Sequence, residues 1–559
     1  MKIKTKILVA CTIICILFLK NICAQEVKSE EIDAIFSDWN TLTKPGMAVM
    51  VMKDGNIMYE KGFGAANLEY NIPITKNTIF HVASVSKQFT VFAILLLEKD
   101  GKLSINDEVR KYLPDLPDFG EKITLQNLAN HTSGLRDQWD LLRMSGFRLD
   151  DVITQQHILK MIYRQKKLNF KPNQRNLYSN TGFTLLAEVV EKVSGMSFAE
   201  FTKKRIFDPL GMKNTEFYDD HEKIVPNRAY SYRKRNDTYY KRTLSYATVG
   251  PTSLFTTAED FGKWALNFQN PIVGDVSMIQ KMNAKTKLSS GGETGFGMGQ
   301  FLGTFQGIDV IVHSGSDAGY KSYFARIPSH NLSIAVFANM STIDPINYVF
   351  GIANLYLEGK FPELEAKKKK EIVVHDPSIF VKLSKEDLSK FVGDYWEIEE
   401  KYKRKIIMRN DTLIYYRNEK SETKLAPIAK NKFKMIGDTN DVTLTFENDK
   451  ESIQVMKVKI NDNKPIEFVA FGEVDLNEYL GKYYSEELET FYEIKIKKGQ
   501  LVLEHHRVPD MYFDPVHKNL FTSKKRAIQE LKFLRNRSGK LIGFKASNNR
   551  VKHLLFKKQ

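Results

Sequence analysis

Apolar positions change their period several times along this chain, and each change predicts a different element. Between Met47 and Tyr59 they alternate around Lys53-Asp54-Gly55-Asn56, which reads as a β-hairpin. Val85 to Glu98 is apolar nearly all round (Phe89, Val91, Phe92, Ile94, Leu95, Leu96, Leu97) and stops at Lys99-Asp100-Gly101. A helix of that kind is buried at the centre of its domain. Thr181 to Val193 predicts another helix, while Ile308–Val312, Lys321–Ile327 and Ser333–Asn339 read as consecutive strands. A sheet drawn from both ends of a segment, with helices from its middle, is an α+β arrangement.

Between Leu357 and Leu388 the pattern breaks at Lys367-Lys368-Lys369-Lys370 and Asp376-Pro377, predicting a linker over 358–387. Beyond it the chain repeats itself at an offset of 88 residues: Phe391-Val392-Gly393-Asp394-Tyr395 returns as Tyr479-Leu480-Gly481-Lys482-Tyr483. Pro427-Ile428-Ala429-Lys430-Asn431-Lys432-Phe433 returns as Pro515-Val516-His517-Lys518-Asn519-Leu520-Phe521. Leu413 with Leu501, and Phe468 with Phe556, keep the same offset. Short alternating runs such as Glu493-Ile494-Lys495-Ile496 make each copy, 388–473 and 474–559, a small antiparallel barrel.

At 559 residues the chain exceeds one hydrophobic core, which agrees with this division. Its start changes the picture further. Lys2, Lys4 and Lys6 precede an apolar run from Ile7 to Leu19, then Asn21-Ile22-Cys23-Ala24. That is the layout of a secretory signal over 1–24, cleaved after Ala24, so the protein is expected to be exported, periplasmic or secreted. An uncleaved anchor is the alternative and the one route to a membrane, for which the apolar run is short. All three cysteines (Cys11, Cys15, Cys23) lie in this segment, which excludes a cysteine nucleophile, a thiolate metal site and a disulfide scaffold from the mature chain.

Removal of that segment takes four lysines from the formal charge of +16, leaving about +12. From Val516 onward 13 Lys and Arg face one acidic residue, a surface suited to anionic envelope polymers or simply the solvated faces of amphipathic strands. Nothing resembles a nucleic-acid module, and no nucleic-acid partner is expected.

Three motifs carry the chemistry. Ser84-Val85-Ser86-Lys87 places a serine at the start of the buried helix and a lysine one turn later on the same face. Free N–H groups and the positive helix end lie near the serine oxygen, and an enclosed ammonium moves towards a usable base. Tyr178-Ser179-Asn180 follows the turn at Phe170-Lys171-Pro172. A tyrosine close to a lysine can accept a proton, and Asn180 can bind a substrate carbonyl. His313-Ser314-Gly315 ends the strand Ile308–Val312, where Gly315 would let substrate backbone approach the strand edge. The N–H of Ser316 with that of Ser84 would form an oxyanion hole, with His313 and Ser314 beside it. Each motif read singly has a bland alternative: a capping serine, a turn asparagine, a structural histidine. His505-His506 and His517 lack convincing ligand spacing, so neither metal nor organic cofactor is expected.

Phe80-His81-Val82-Ala83-Ser84-Val85-Ser86-Lys87 and Leu128-Ala129-Asn130-His131-Thr132-Ser133-Gly134-Leu135, together with the other motifs, resemble the serine β-lactamase and penicillin-binding protein superfamily. The likeness is to its class C-like branch, which also holds esterases, D-aminopeptidases and D-Ala-D-Ala carboxypeptidase relatives. It covers about Glu30 to Leu357, within a domain placed at 25–357. It implies a β-lactamase-like catalytic domain, an antiparallel sheet flanked by helices with a helical subdomain, followed by lipocalin-like barrels. It also implies that Ser84 is acylated, Lys87 is base or relay, Tyr178 protonates the leaving group and Asn180 positions substrate.

Two departures matter. Where β-lactamases carry Lys-Thr-Gly this chain has His313-Ser314-Gly315, giving a weaker, pH-dependent charge for a substrate carboxylate. Asn173 stands where members often carry glycine. The expectation is an exported serine hydrolase acting on small esters, amides or D-amino-acid peptides related to the cell wall. The alternatives are a true β-lactamase or D-Ala-D-Ala carboxypeptidase, and a non-catalytic envelope-binding protein on the same fold.

Overall fold

The computed structural model describes residues 28–362, 371–397, 402–419, 421–450, 452–472 and 474–559. The expected signal segment and the lysine run at 367–370 lie outside the described residues. Two compact units result.

The first holds the described residues up to 362, apart from Met144–Gly146. Its centre is a six-stranded antiparallel sheet of β1 (Met47–Lys53), β2 (Asn56–Phe63), β3 (Phe301–Phe305), β4 (Ile308–Asp317), β5 (Tyr320–Ile327) and β6 (Leu332–Ala338). The order is β3-β4-β5-β6-β1-β2, with Met47 opposite Ala338 and Lys53 opposite Leu332 where the two ends of the segment meet. The principal helices are α1 (Lys87–Lys99), α2 (Thr181–Ser194), α3 (Ala258–Asn267) and α4 (Pro345–Leu357).

Both faces of the sheet are covered. On one, Met47, Val49, Val51, Ile334 and Val336 pack with Val349, Ile352 and Ala353 of α4. On the other, Phe261 of α3 meets Phe324 and Phe337 at ring-centroid distances of 4.8 and 5.2 Å. The expected hairpin forms, but β1 is buried at every position from Met47 to Met52 rather than alternately, because a strand sandwiched by helices has no wet face.

The apolar helix is central as expected, with every residue from Lys87 to Leu97 buried. Phe89 lies 4.2 Å from Trp264 and 5.5 Å from Phe207, centroid to centroid. The helix proper starts at Lys87; Ala83–Ser86 before it is a tighter 3-10 turn. Strand β4 also differs from expectation, running on past Val312 to Asp317 through pairs such as Gly315 with Ser322. Its other neighbour, β3, pairs only as far as Val312. Residues 313–317 therefore keep one edge without a strand partner among the described residues.

The second unit contains two closed eight-stranded barrels, from Gly393–Glu397 to Ile466–Ala470 and from Gly481–Ser485 to Leu554–Lys558. The internal repeat has a structural reason. Tyr395 Oη donates to the Phe391 carbonyl (2.9 Å), and Tyr483 Oη makes the same bond to Tyr479 (2.7 Å), each from a buried ring. Pro427 and Pro515 each sit at a slip in strand register, where a residue without an N–H is tolerated. Ile406, Leu413, Phe433, Leu444 and Phe468 fill the first barrel, so its interior is a core, as in other small barrels. Part of the expected linker is tied to that barrel: Val373 N–H donates to Asp438 O (2.9 Å) and Val381 N–H to Pro427 O (3.0 Å).

Truncating Phe89 to alanine leaves a cavity against Trp264 and is expected to cost about 3–5 kcal/mol. Thermal unfolding followed by tryptophan fluorescence should shift down by several degrees; an unmoved midpoint would contradict the central place of α1.

Candidate active site

The site is built around a buried lysine. Short strand Phe80–His81 leads into the 3-10 turn, and Ala83 bends the chain with φ +49°, a left-handed conformation unusual for a residue with a Cβ. Two bonds hold the bend: Ala83 N–H donates to His81 Nδ1 (3.3 Å), and Ser86 Oγ donates to Ala83 O (2.5 Å). Burial, with the Arg228 charge adding to it, pushes the His81 pKa down to about 3, so the ring is a neutral strut. Half-buried Ser84 is thereby presented with Oγ 3.0 Å from Lys87 Nζ.

Lys87 has no exposed surface. Its Nζ donates to Asn180 Oδ1 (2.8 Å) and to Pro251 O (2.8 Å). A neutral amine has two N–H donors and one lone pair. Lys87 Nζ also donates to Ser84 Oγ (3.0 Å), and once the ammonium has given up a proton the Ser84 hydroxyl can donate to its lone pair instead. This geometry suits an amine that takes the serine proton.

Tyr178, Ser179 and Asn180 arrive on the turn before α2. The Lys87 Nζ lies 5.0 Å from the centre of the Tyr178 ring. The turn is gripped by the segment that carries His131-Thr132-Ser133-Gly134. The His131 ring stacks on Tyr178 at 4.3 Å, and its Nδ1 accepts from Ser179 N–H (3.1 Å). Leu177 N–H donates to His131 O (3.0 Å), and Thr181 Oγ1 donates to Arg136 O (2.6 Å). Asn173, at φ +62°, takes the left-handed turn conformation that asparagine tolerates, and its Oδ1 accepts from Asn127 Nδ2 (2.8 Å) and Thr132 Oγ1 (3.1 Å). Glycine would supply the bend without those bonds.

Asp137 is the functional residue that the motifs did not reveal. Its Oδ2 accepts from both the backbone N–H (2.8 Å) and Nδ2 (2.7 Å) of Asn180. With the amide nitrogen so held, Oδ1 of Asn180 can only face Lys87. The partners are 43 residues apart, and an aspartate after a glycine-containing loop has no distinctive spacing to announce it.

Strand β4 closes the site, and here two expectations change. Gly315 does permit a close approach, but of the nucleophile's own turn: a Cβ there would lie 2.2 Å from Val82 O and from Ser322 Oγ. Ser322 Oγ donates to the same Val82 carbonyl (2.6 Å), fastening strand to turn. His313 is buried, with Nδ1 2.7 Å from Ser314 O and its ring 5.1 Å from Phe301 and 6.3 Å from Tyr178. Burial first, and the nearby Lys87 charge second, push its pKa down to about 3. It therefore offers no pH-dependent positive charge to a carboxylate near neutrality. The Ser314 and Ser316 side chains point to the exposed face, and Ser316 Oγ accepts from Lys321 Nζ (2.9 Å). Any part they take in the site falls to their backbone groups.

A family model described as Beta-lactamase matches residues 33–345. The chain is 29% identical over 371 residues to Penicillin-binding protein 4* of Bacillus subtilis (strain 168), covering 62% of this chain and 78% of that protein. It is 27% identical over 296 residues to a D-aminopeptidase of Gluconobacter oxydans (strain 621H), covering 53% of this chain and 56% of the relative's length. Among solved structures, the octameric penicillin-binding protein homologue from Pyrococcus abyssi superposes with TM-score 0.54 at 24% identity, over 79% of this chain and 99% of that one. FmtA from Staphylococcus aureus does so with TM-score 0.51 at 22% identity, over 61% of this chain and 89% of its own. At these identities the two structures speak for the fold.

Asp137→Asn, which keeps the shape but weakens the grip on Asn180, should slow labelling of Ser84 by a fluorophosphonate about 10–100-fold in folded protein; an unchanged rate would remove Asp137 from the site. For His313, imidazole 15N NMR should report a neutral ring from pH 5 to 8, and a titration within that window would contradict its burial.

Proposed function

The chain belongs to the Beta-lactamase family of serine hydrolases, and on that basis we propose that it is an exported acyl-transfer enzyme whose nucleophile is Ser84 and whose substrates are small amides, esters or D-amino-acid peptides derived from cell-wall material. The observation that carries this reading is the cradle of Lys87: a fully buried amino group 3.0 Å from Ser84 Oγ that also donates to Asn180 Oδ1 and Pro251 O.

In the first step Ser84 Oγ attacks the substrate carbonyl and its proton passes to Lys87 Nζ. The oxyanion is received by the backbone N–H groups of Ser84 and Ser316, brought near each other because β4 is pressed on the turn at Gly315. Tyr178, beside Lys87, returns the proton to the leaving group, and water then releases the acyl group by the reverse route. Asn180, locked by Asp137, has its amide fixed before substrate arrives.

The neutral His313 bears on substrate choice. β-Lactams and D-Ala-D-Ala peptides both present a carboxylate, and position 313 gives it no countercharge. This favours neutral amides and esters over those two classes. The relatives named as a D-aminopeptidase and a penicillin-binding protein are consistent with amide chemistry on D-amino-acid material.

The test is a fluorophosphonate probe with the adduct mapped by mass spectrometry. One adduct on Ser84 is expected, absent in Ser84→Ala, with labelling slowed about 10²–10⁴-fold in Lys87→Ala. Folded protein that takes no label would favour a binding protein on the same fold.

A further inference from the structure

Ser231–Arg235 and Thr238–Arg242 form a two-stranded hairpin outside the central sheet. Asn236 and Asp237 make its turn, both left-handed (φ +45° and +62°), as a tight two-residue hairpin turn requires. The register places Arg233 opposite Tyr240, Lys234 opposite Tyr239, Tyr232 opposite Lys241 and Ser231 opposite Arg242. Alternation along each strand then sorts the side chains onto two faces.

One face carries Tyr232, which is buried, and Tyr239, which packs against the apolar core of the sheet. Its two cations are compensated, Lys234 by Asp237 at 2.6 Å and Lys241 by Glu69 at 3.7 Å. The other face carries Arg233, Arg235 and Arg242 around Tyr240. Arg233 and Arg235 each lie 5.9 Å from the centre of the Tyr240 ring, which is 44% exposed. Among the described residues none of these three guanidinium groups forms an ion pair or a hydrogen bond. Asp150 is the carboxylate that faces Arg233 and Arg242, and Arg148 already holds both of its oxygens. Arg233 is half-buried and its Nε lacks a partner; burial first, then the charges of Arg235 and Arg242, disfavour its own charge. Like charges gathered on one side of a strand pair cost stability, and an anion across them removes that cost.

We propose that this face of the hairpin is a binding site for an acidic saccharide, with its carboxylate or phosphate groups on the arginines and a sugar ring on Tyr240. The planar fork of arginine takes either anion by two parallel hydrogen bonds, and Arg233 and Arg235 stand about 7 Å apart along one strand, a spacing that suits more than one anionic group. An exposed tyrosine between them offers an amphipathic ring face. The tip argues against a lipid surface: it is Asn236-Asp237, polar throughout, with the Asp237 side chain 94% exposed. The root joins the site described above, because Ser231 Oγ accepts from Gly319 N–H (3.1 Å) in the turn between β4 and β5. A saccharide bound to the hairpin is thereby tethered to the turn at the end of the strand that closes the Ser84 site.

The test is calorimetric titration of the full-length protein with tetragalacturonate and with fructose 1,6-bisphosphate, which separate the two anions, and with neutral maltotetraose. One-to-one binding of at least one acidic probe is expected, and none of maltotetraose. The triple variant Arg233→Lys, Arg235→Lys, Arg242→Lys keeps the charge but loses the fork, and should bind about tenfold more weakly or worse. Tyr240→Ala should weaken binding about fivefold. Tryptophan-fluorescence melting checks the fold, and if the triple variant does not fold, Arg235→Lys and Tyr240→Ala, both at exposed positions, decide. Affinity unchanged in these variants puts the anion elsewhere and overturns the site, as does failure of both acidic probes to bind. Equal affinity for hexaglutamate reduces the face to a patch of charge and rejects the proposal. Tighter binding to vesicles of phosphatidylcholine and phosphatidylglycerol, or to a short oligothymidylate, rejects it too, by assigning the face to another class of partner.

Discussion

Lys87 has no exposed surface, and a buried amine whose donors go unmet costs several kcal/mol, about as much as a small protein can spare. Its bonds to Asn180, Pro251 and Ser84 therefore bind three separate stretches of chain to one point. Each partner is fixed in turn: Asn180 by Asp137, the Ser84 turn by His81 and by the press of Gly315, and Pro251 by the Thr252 contacts to His81 and Asp317. The reactive geometry and the satisfaction of one buried group are the same requirement. Much of the apolar bulk around α1 serves to exclude the water that would otherwise satisfy the lysine more cheaply.

That coupling explains what could be read in the sequence. Ser84, Lys87, Tyr178 and Asn180 were legible because the chemistry asks for those residue types in short, ordered motifs, and the structure brings Ser84, Lys87 and Asn180 into one hydrogen-bonded group with Tyr178 alongside. The α+β core was legible from α1 and the late strands, whose apolar runs are long enough to fix their type. Asp137 was not, because its function lies in a contact across the fold that leaves no periodic trace. The length of β4 was hidden for a related reason: residues 313–317 are polar or glycine, and such a run reads as the end of a strand. Burial on both faces likewise erased the alternation expected of β1.

The barrels show the opposite case, where repetition gave the architecture without any chemistry. A tyrosine hydroxyl returned to a carbonyl four residues earlier, and a proline at a register slip, recur in both copies because closing eight short strands poses the same problems twice. Residues that solve a closure problem recur in pattern even where equivalent positions between them differ, as Arg417 and buried His505 do.

The electrostatics of β4 tie these threads together. Past Val310 the strand carries a ring kept neutral by burial at His313 and its one formal charge at Asp317. A lysine at the first position would add a second cation near Lys87, and each would disfavour the charge of the other. A histidine stripped of its charge avoids that penalty and leaves the carboxylate at the far end as the only formal charge on this stretch.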